Sequence, residues 1–373
     1  MKKIKLLKKD EFDFQFFIAF LCLLLIGFVM LFSSSMEAAR ANYSDGLYFI
    51  KRQVLWGGLG AVAMFFLSRI KLSVVKRSCN IFMIISIILL VLVLLIGKRF
   101  NGGRRWIVLA GFSFQPSELM KIAIILFFAN ILSNSENVKK IKFFWRKGGL
   151  IYYLLLVLFI CGLLLLEPHL SVTIIIILLS GTMLIAGGAK IKHFIWMIGP
   201  AIAGVAGLII AAPYRMKRFT SFIDPFADKL GEGWQIIQSL YAIGSGGLFG
   251  LGPFQSRQKY LYIPEPQNDF IFSIVCEELG WIWASLIIIL FAFLIWRGVK
   301  IALSAPTRFQ ALTAFGIMAL IAWEVILNIA VITSSVPNTG IPLPFFSSGG
   351  TTLFINMAAM GLVLNISRKA DLT

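Results

Sequence analysis

Residues 150–188 read LIYYLLLVLFICGLLLLEPHLSVTIIIILLSGTMLIAGG. Seventeen uncharged residues run up to Glu167-Pro168-His169, and a second uncharged run starts at Leu170. A bilayer core takes about 20 apolar residues as one helix. Two such runs joined by a three-residue polar hinge predict adjacent membrane spans with a tight turn between them.

The composition of the 373-residue chain agrees, with 59% hydrophobic and only 14% charged residues. A soluble domain needs about a quarter of its residues charged, so a water-soluble globular enzyme is excluded. The net charge of +18 arises from 35 Lys+Arg against 17 Asp+Glu. In a soluble protein it would point to nucleic acid, but here the basic residues gather in short loops beside apolar runs. There they set orientation and meet anionic lipid headgroups, which argues against a nucleic-acid partner. Cys22, Cys79, Cys161 and Cys276 lie in or beside apolar runs without the spacing of a disulfide or metal motif, and His169 and His193 are the two histidines. That inventory provides no metal site of the Cys/His kind.

Ten runs can span: 14–32, 49–67, 81–96, 116–132, 148–166, 170–189, 194–213, 270–296, 309–333 and 350–366. The first follows a basic start, but its 19 residues exceed the apolar core of a signal peptide, about 7 to 15 residues. It reads as a retained anchor. The second carries Lys51 and Arg52 in its first turn. With the N-terminus inside, the inner segments hold 21 Lys/Arg and the outer ones 13, with Lys51 and Arg52 counted among the outer, which predicts both termini in the cytoplasm. Lys98, Arg99, Arg104 and Arg105 crowd a short outer loop against that rule, and an anionic ligand at the outer surface is the simplest reason. The predicted fold is an all-α polytopic integral membrane protein, one membrane domain over residues 1–373. Residues 1–13 and 367–373 are cytoplasmic, and the large outer loop, 214–269, joins spans seven and eight.

That loop contains GSGGLFGLG at 244–252, which lacks the Lys-Ser/Thr of a nucleotide-binding loop, so its glycines are expected to make tight turns. Residues 233–241, GWQIIQSLY, have the pattern of an amphipathic helix lying on the membrane surface. Residues 334–349 carry three prolines and no charge. Irregular backbone at membrane depth must be buried in protein or line a watery cavity, so this segment is expected to be re-entrant and to border the site.

Several polar residues stand out. Glu118 and Lys121 share a helix face, either as an ion pair that orients the helix or with Lys121 offered to a phosphate. Gln115-Pro116-Ser117 precedes them as a helix start, and Glu167-Pro168-His169 is the second polar hinge. Asp269, after Pro264-Glu265-Pro266-Gln267-Asn268, is placed to cap the eighth span or to act chemically. Glu277, Glu278 and Glu324 are acids within spans, candidates for protonation or for pairing with Lys121.

Taken together, NGGRRWI at 101–107, FQPSELMK at 114–121, YRMKRFTSFIDP at 214–225, residues 231–252, QKYLYIPEPQNDFIFSIVCEELG at 258–280 and residues 339–350 resemble the SEDS proteins of bacterial shape, elongation, division and sporulation. Residues 255–259 and 264–269 look most like the FtsW and SpoVE branch, in cell division or spore cortex synthesis. The chain departs from the family at His169, where many relatives have an acid, and at Ser348, where many have tyrosine.

The resemblance implies a peptidoglycan glycosyltransferase in the bacterial cytoplasmic membrane. Such an enzyme polymerises lipid II at the outer face, with a class B penicillin-binding protein and other divisome or sporulation cell-wall proteins as partners. Asp269 is then the expected base. Arg104, Arg105, Lys121, Glu118, Arg215 and Arg218 are the expected pyrophosphate and lipid II residues. Gln115, Ser117, Glu167, His169, Gln258, Lys259, Glu277, Glu278 and Ser348 are cavity or structural candidates. A divalent cation, Mg or Mn, is compatible with the pyrophosphate, although no cluster of oxygen ligands defines a metal site. A lipid II flippase and a non-catalytic scaffold of the cell-wall machinery are the alternatives that the residues leave open.

Overall fold

The computed structural model describes residues 11–100, 103–109, 112–134, 149–194, 207, 216, 220–228, 231 and 233–370. Nine of its helices coincide with expected spans: α1 Phe14–Tyr43, α2 Tyr48–Leu67, α3 Leu72–Ile96, α4 Pro116–Leu132, α5 Leu150–Leu166, α6 Leu170–Ala186, α8 Ile271–Leu303, α9 Arg308–Ile332 and α10 Gly350–Ser367. Five of these, α1, α3, α8, α9 and α10, are long and apolar enough to cross a bilayer. The expected seventh span, 194–213, lies almost wholly outside the described residues, as do Arg215 and Arg218.

Neighbouring helices pack as α2 on α10, α8 on α9, α3 on α4 and α1 on α8. Uncharged amides tie α2 to α10 at both ends. Asn365 Nδ2 donates to the carbonyls of Leu67 and Ile70, both at 2.7 Å. Gln53 Nε2 donates to the Ser347 carbonyl at 3.2 Å, and Gln53 Oε1 accepts from Gly349 N at 3.3 Å. The charges in the first turn of α2 stay at its rim, where exposed Lys51 pairs with Asp45 at 2.8 Å and half-buried Arg52 donates to Tyr48 Oη at 2.6 Å.

Three findings differ from expectation. The arginine-rich loop between α3 and α4 is not irregular: β1 Lys98–Phe100, β2 Gly103–Leu109 and β3 Phe112–Phe114 form an antiparallel sheet in the order β1-β2-β3. The amphipathic helix is α7, Trp234–Ser245, and its inward face covers protein rather than lipid. Ile236, Ile237, Gln238, Ser239 and Ala242 are buried, and Ser239 Oγ lies 2.6 Å from Ser273 Oγ in α8 and donates to the Ile332 carbonyl of α9 at 2.9 Å. A face with a buried Gln and Ser needs polar partners, which lipid does not provide.

The third difference is in α8, which breaks at Gly280, φ 77°. The carbonyls of Glu277 and Glu278 lose their helical donors and accept instead from Leu251 N, 2.9 Å, and Gly252 N, 3.0 Å. The amides of Trp281 and Ile282 donate to the carbonyls of Gly247, 2.9 Å, and Leu248, 3.2 Å. The glycine-rich stretch thus supplies the hydrogen bonds that the break removes, as a membrane protein must. Backbones come so close there that a Cβ on Gly280 would collide with Gly250 N, and one on Gly250 with the Glu278 carbonyl.

The segment after α9 is re-entrant, as expected. Ile341, Leu343, Phe345 and Phe346 are buried. The Phe345 ring meets Phe20 of α1 at 5.2 Å, and Phe346 meets Phe291 of α8 at 5.7 Å, so the loop reaches into the bundle.

Candidate active site

Asp269 comes at the end of the segment that joins α7 to α8. Helix α8 begins at Ile271, and its N-cap is Phe270, with no side-chain cap hydrogen bond. Asp269 therefore stands one residue outside the capping position. Its backbone is held by Asn328 of α9, whose Nδ2 donates to the carbonyls of Asp269, 2.8 Å, and Ile341, 2.7 Å. One buried amide thus joins the start of α8 to the re-entrant segment. Gly340 has φ 68°, and a Cβ there would lie 3.3 Å from Asp269 Oδ2 and 3.8 Å from Ser171 Oγ. That position combines a left-handed backbone with no room beside the carboxylate. Ser171, in the first turn of α6, donates to the Thr339 carbonyl. Ser348 N donates to the Gln267 carbonyl at 2.8 Å, two residues before the acid.

The hinge between α5 and α6 meets the start of α4. His169 is buried, with Nδ1 3.2 Å from Ser117 Oγ and Nε2 3.4 Å from the Gln115 amide nitrogen. Burial, then the positive charges of Arg105 and Lys121, push its imidazole down to about 3, so the ring is neutral. Arg105, from β2, donates to the carbonyls of Glu167 and Pro168. The sheet is thereby fastened over the hinge. Glu167 is fully buried, and neither carboxylate oxygen has a hydrogen-bond partner among the described residues. Burial pushes its acid up to about 8 against the lowering influence of Arg105. Arg104 is exposed and donates to the Leu94 carbonyl at 3.0 Å.

Lys121 has not one partner but two. Its Nζ lies 2.9 Å from Glu118 and 2.5 Å from Glu324 of α9, and all three side chains are at most 3% exposed. The ion pair expected from the sequence is thus a triad closed within the bundle. Glu277 and Glu278 do not reach Lys121. Glu278 pairs with Lys259 at 3.0 Å and accepts from Ser33 Oγ, 2.6 Å, Phe254 N, 3.0 Å, and Ser256 N, 3.3 Å. Glu277 accepts from Ser256 Oγ, Arg257 N, 3.0 Å, and Gln258 N, 3.3 Å. These two acids anchor residues 254–259, the strand of loop that leads to Asp269. Among the described residues, no group of three or more His, Cys, Asp and Glu side chains is arranged to hold a metal.

Asp269, Arg105, Gln115, Ser117 and His169 were all legible from motifs. Asn328, Ser171, Gly340 and Gln53 were not, because each acts through backbone groups far away in sequence.

The family model for cell cycle proteins of the FtsW, RodA and SpoVE type matches residues 14–372. Stage V sporulation protein E of Bacillus subtilis (strain 168) is 44% identical over 368 residues, 97% of this chain and 98% of that protein. A probable peptidoglycan glycosyltransferase FtsW of Trichlorobacter lovleyi is 38% identical over 359 residues, covering 96% and 93%. Among solved structures, a chain from a peptidoglycan synthase complex that coordinates polymerization and crosslinking superimposes with a TM-score of 0.79 at 28% identity, covering 96% of this chain and 98% of that one. The chain therefore belongs to the FtsW/RodA/SpoVE family of cell cycle proteins and is a multi-pass membrane protein.

Proposed function

We propose that this protein is a peptidoglycan glycosyltransferase that polymerises lipid II at the outer face of the cytoplasmic membrane, with Asp269 as its base. The observation that carries the assignment of Asp269 is its position outside the α8 cap, beside the left-handed Gly340, where a Cβ would press on its Oδ2. Its carboxylate takes the proton of the acceptor GlcNAc 4-hydroxyl as that oxygen bonds to C1 of the donor MurNAc. The C1 bond to the pyrophosphate breaks, and its electron pair leaves on the polyprenyl pyrophosphate. That leaving group needs cations rather than the protonating acid of a glycosidase. Arg105 is the described cation that reaches the hinge, and its forked guanidinium can exchange carbonyl oxygens for phosphate oxygens; Arg104, exposed on the same strand, is the second candidate. Lys121 acts from behind His169, within its triad. Both termini are cytoplasmic, and a class B penicillin-binding protein is the partner, which the match to a peptidoglycan synthase complex supports.

Asp269→Asn keeps size and polarity but cannot accept the proton. The variant should fold, bind lipid II and form no glycan strands on a gel, a loss of about 100-fold or more. Near-normal polymerisation by the folded variant would overturn the assignment. Lipid II moved across vesicles without polymer would replace the transferase with a flippase.

A further inference from the structure

The turn between α1 and α2 carries a group of side chains that the mechanism does not use. Tyr43 closes α1 and Tyr48 opens α2, and their rings stack with centroids 3.8 Å apart and planes 7° apart. Phe49 meets both edge-on, at 5.7 and 5.3 Å, and Tyr43 remains 49% exposed. Arg52 Nη1 donates to Tyr48 Oη at 2.6 Å while Nη2 donates to Ser113 Oγ of β3 at 3.4 Å. The stack is therefore a fixed platform tied to the sheet, unlike single interfacial aromatics that only face headgroups.

The platform lies next to the active-site segment: Gln53, beside Arg52, bonds Ser347 and Gly349, and Ser348 N between them donates to the carbonyl of Gln267 at 2.8 Å. Glu265 is exposed and accepts from Asn268 Nδ2 at 2.8 Å, and Asn268 is the residue before Asp269. A flat aromatic surface with hydrogen-bonding groups fixed at its rim suits a pyranose. The ring's C–H bonds carry partial positive charge and lie against the negative π face, while its hydroxyl and acetamido groups meet the arginine, carboxylate and amide.

We propose that Tyr43, Tyr48, Arg52, Glu265 and Asn268 form a saccharide subsite that holds an N-acetylated hexosamine glycan beside Asp269. The assignment of the glycan as substrate rests on the glycosyltransferase reading. The same sugars can arrive on the lipid II headgroup or on the growing strand.

The test uses the full-length protein in detergent and chitotetraose, a lipid-free N-acetylglucosamine tetramer, observed by saturation-transfer NMR. Tyr43→Ala and Tyr48→Ala should each weaken tetramer binding about two- to tenfold, the worth of one aromatic contact. Tyr48→Phe, which keeps the ring, should retain binding. Polymerisation of lipid II separates the sources: slower first coupling in the alanine variants places the lipid II headgroup on the platform, whereas unchanged first coupling with shorter strands places the growing strand there. Alanine variants with wild-type thermal unfolding, unchanged tetramer binding and unchanged strand length would overturn the subsite and make the pair an interfacial anchor only. A wild-type protein that binds the tetramer yet makes no polymer would remove the glycosyltransferase reading and leave the subsite standing.

Discussion

Two buried clusters in this protein have the same composition, one lysine with two glutamates, and opposite surroundings. Around Lys259, the carboxylates of Glu277 and Glu278 accept from four backbone amides and several hydroxyls besides the ammonium group. Around Lys121, the lysine is the main counterweight for both acids, and Glu324 Oε2 has no hydrogen-bond partner among the described residues. The first cluster solvates its charge with backbone, as a scaffold does. The second leaves its excess carboxylate without such donors, a costly arrangement in a closed bundle unless the site needs it. Equal charge counts therefore do not indicate equal roles; the number of donors on each oxygen distinguishes them.

The largest effect is expected for Lys121→Met, which strands two buried carboxylates and should cost about 3–5 kcal/mol in thermal unfolding of the detergent-solubilised protein. Removing only Glu118 as well does not fully repair it, because Glu324 is still buried without its cation. The triple change Lys121→Met, Glu118→Gln and Glu324→Gln should recover stability. Wild-type stability of Lys121→Met alone would erase the distinction between the clusters. Recovered polymerisation in the triple variant would reduce the triad to a helix-orienting device.

A smaller loss follows Glu278→Gln, whose NH2 must face either the Phe254 amide at the Oε2 position or the Ser256 amide at the Oε1 position. Losing hydrogen bonds to a charged acceptor costs about 1.5–3 kcal/mol. The loop should open, so trypsin should cut faster after the exposed Arg257 and polymerisation should fall as Asp269 loses its support. An unchanged cleavage rate would show that the amides do not hold the loop.

Glu167 sharpens the comparison through pH rather than through a fixed loss, being a buried acid with no hydrogen-bond partner on either oxygen among the described residues. Its acid is raised from 4.5 to about 8 in the folded protein. The unfolded chain then binds fewer protons between those values, so stability is full below pH 4.5 and is lost as pH rises toward about 8. Glu167→Gln should abolish that slope, with the melting temperature changing by several degrees less than in wild type across the window. Parallel pH profiles for the two proteins would show Glu167 to be ionised in the fold.

Spans were legible because a bilayer reads mean hydropathy: nine of the ten runs are helices among the described residues, and the tenth lies almost wholly outside them. The sheet over 98–114 was not, since its short polar strands give no period long enough to register. The break in α8 was hidden because Gly280 interrupts an apolar run without changing its hydropathy. At the site, the sequence exposed the residues whose chemistry is unusual for a membrane, such as Asp269, Arg105 and Lys121. It hid their partners, because the Lys121–Glu324 contact spans 203 residues and Asn328 works on carbonyls that every residue possesses.

The break at Gly280 also sets a depth. Thirty-three residues as one straight rod would measure about 50 Å, far beyond a hydrocarbon core of about 30 Å. Beyond the break, Trp281 to Leu303 make a rod of about 35 Å, close to that thickness. The exposed indoles of Trp281 and Trp283 then fall where tryptophans favour the headgroup layer. Gly280 marks a waterline: the half-helix before it, with Glu277, Glu278 and the approach to Asp269, projects out of the hydrocarbon into the layer where a sugar can be wet while its lipid tail stays dry.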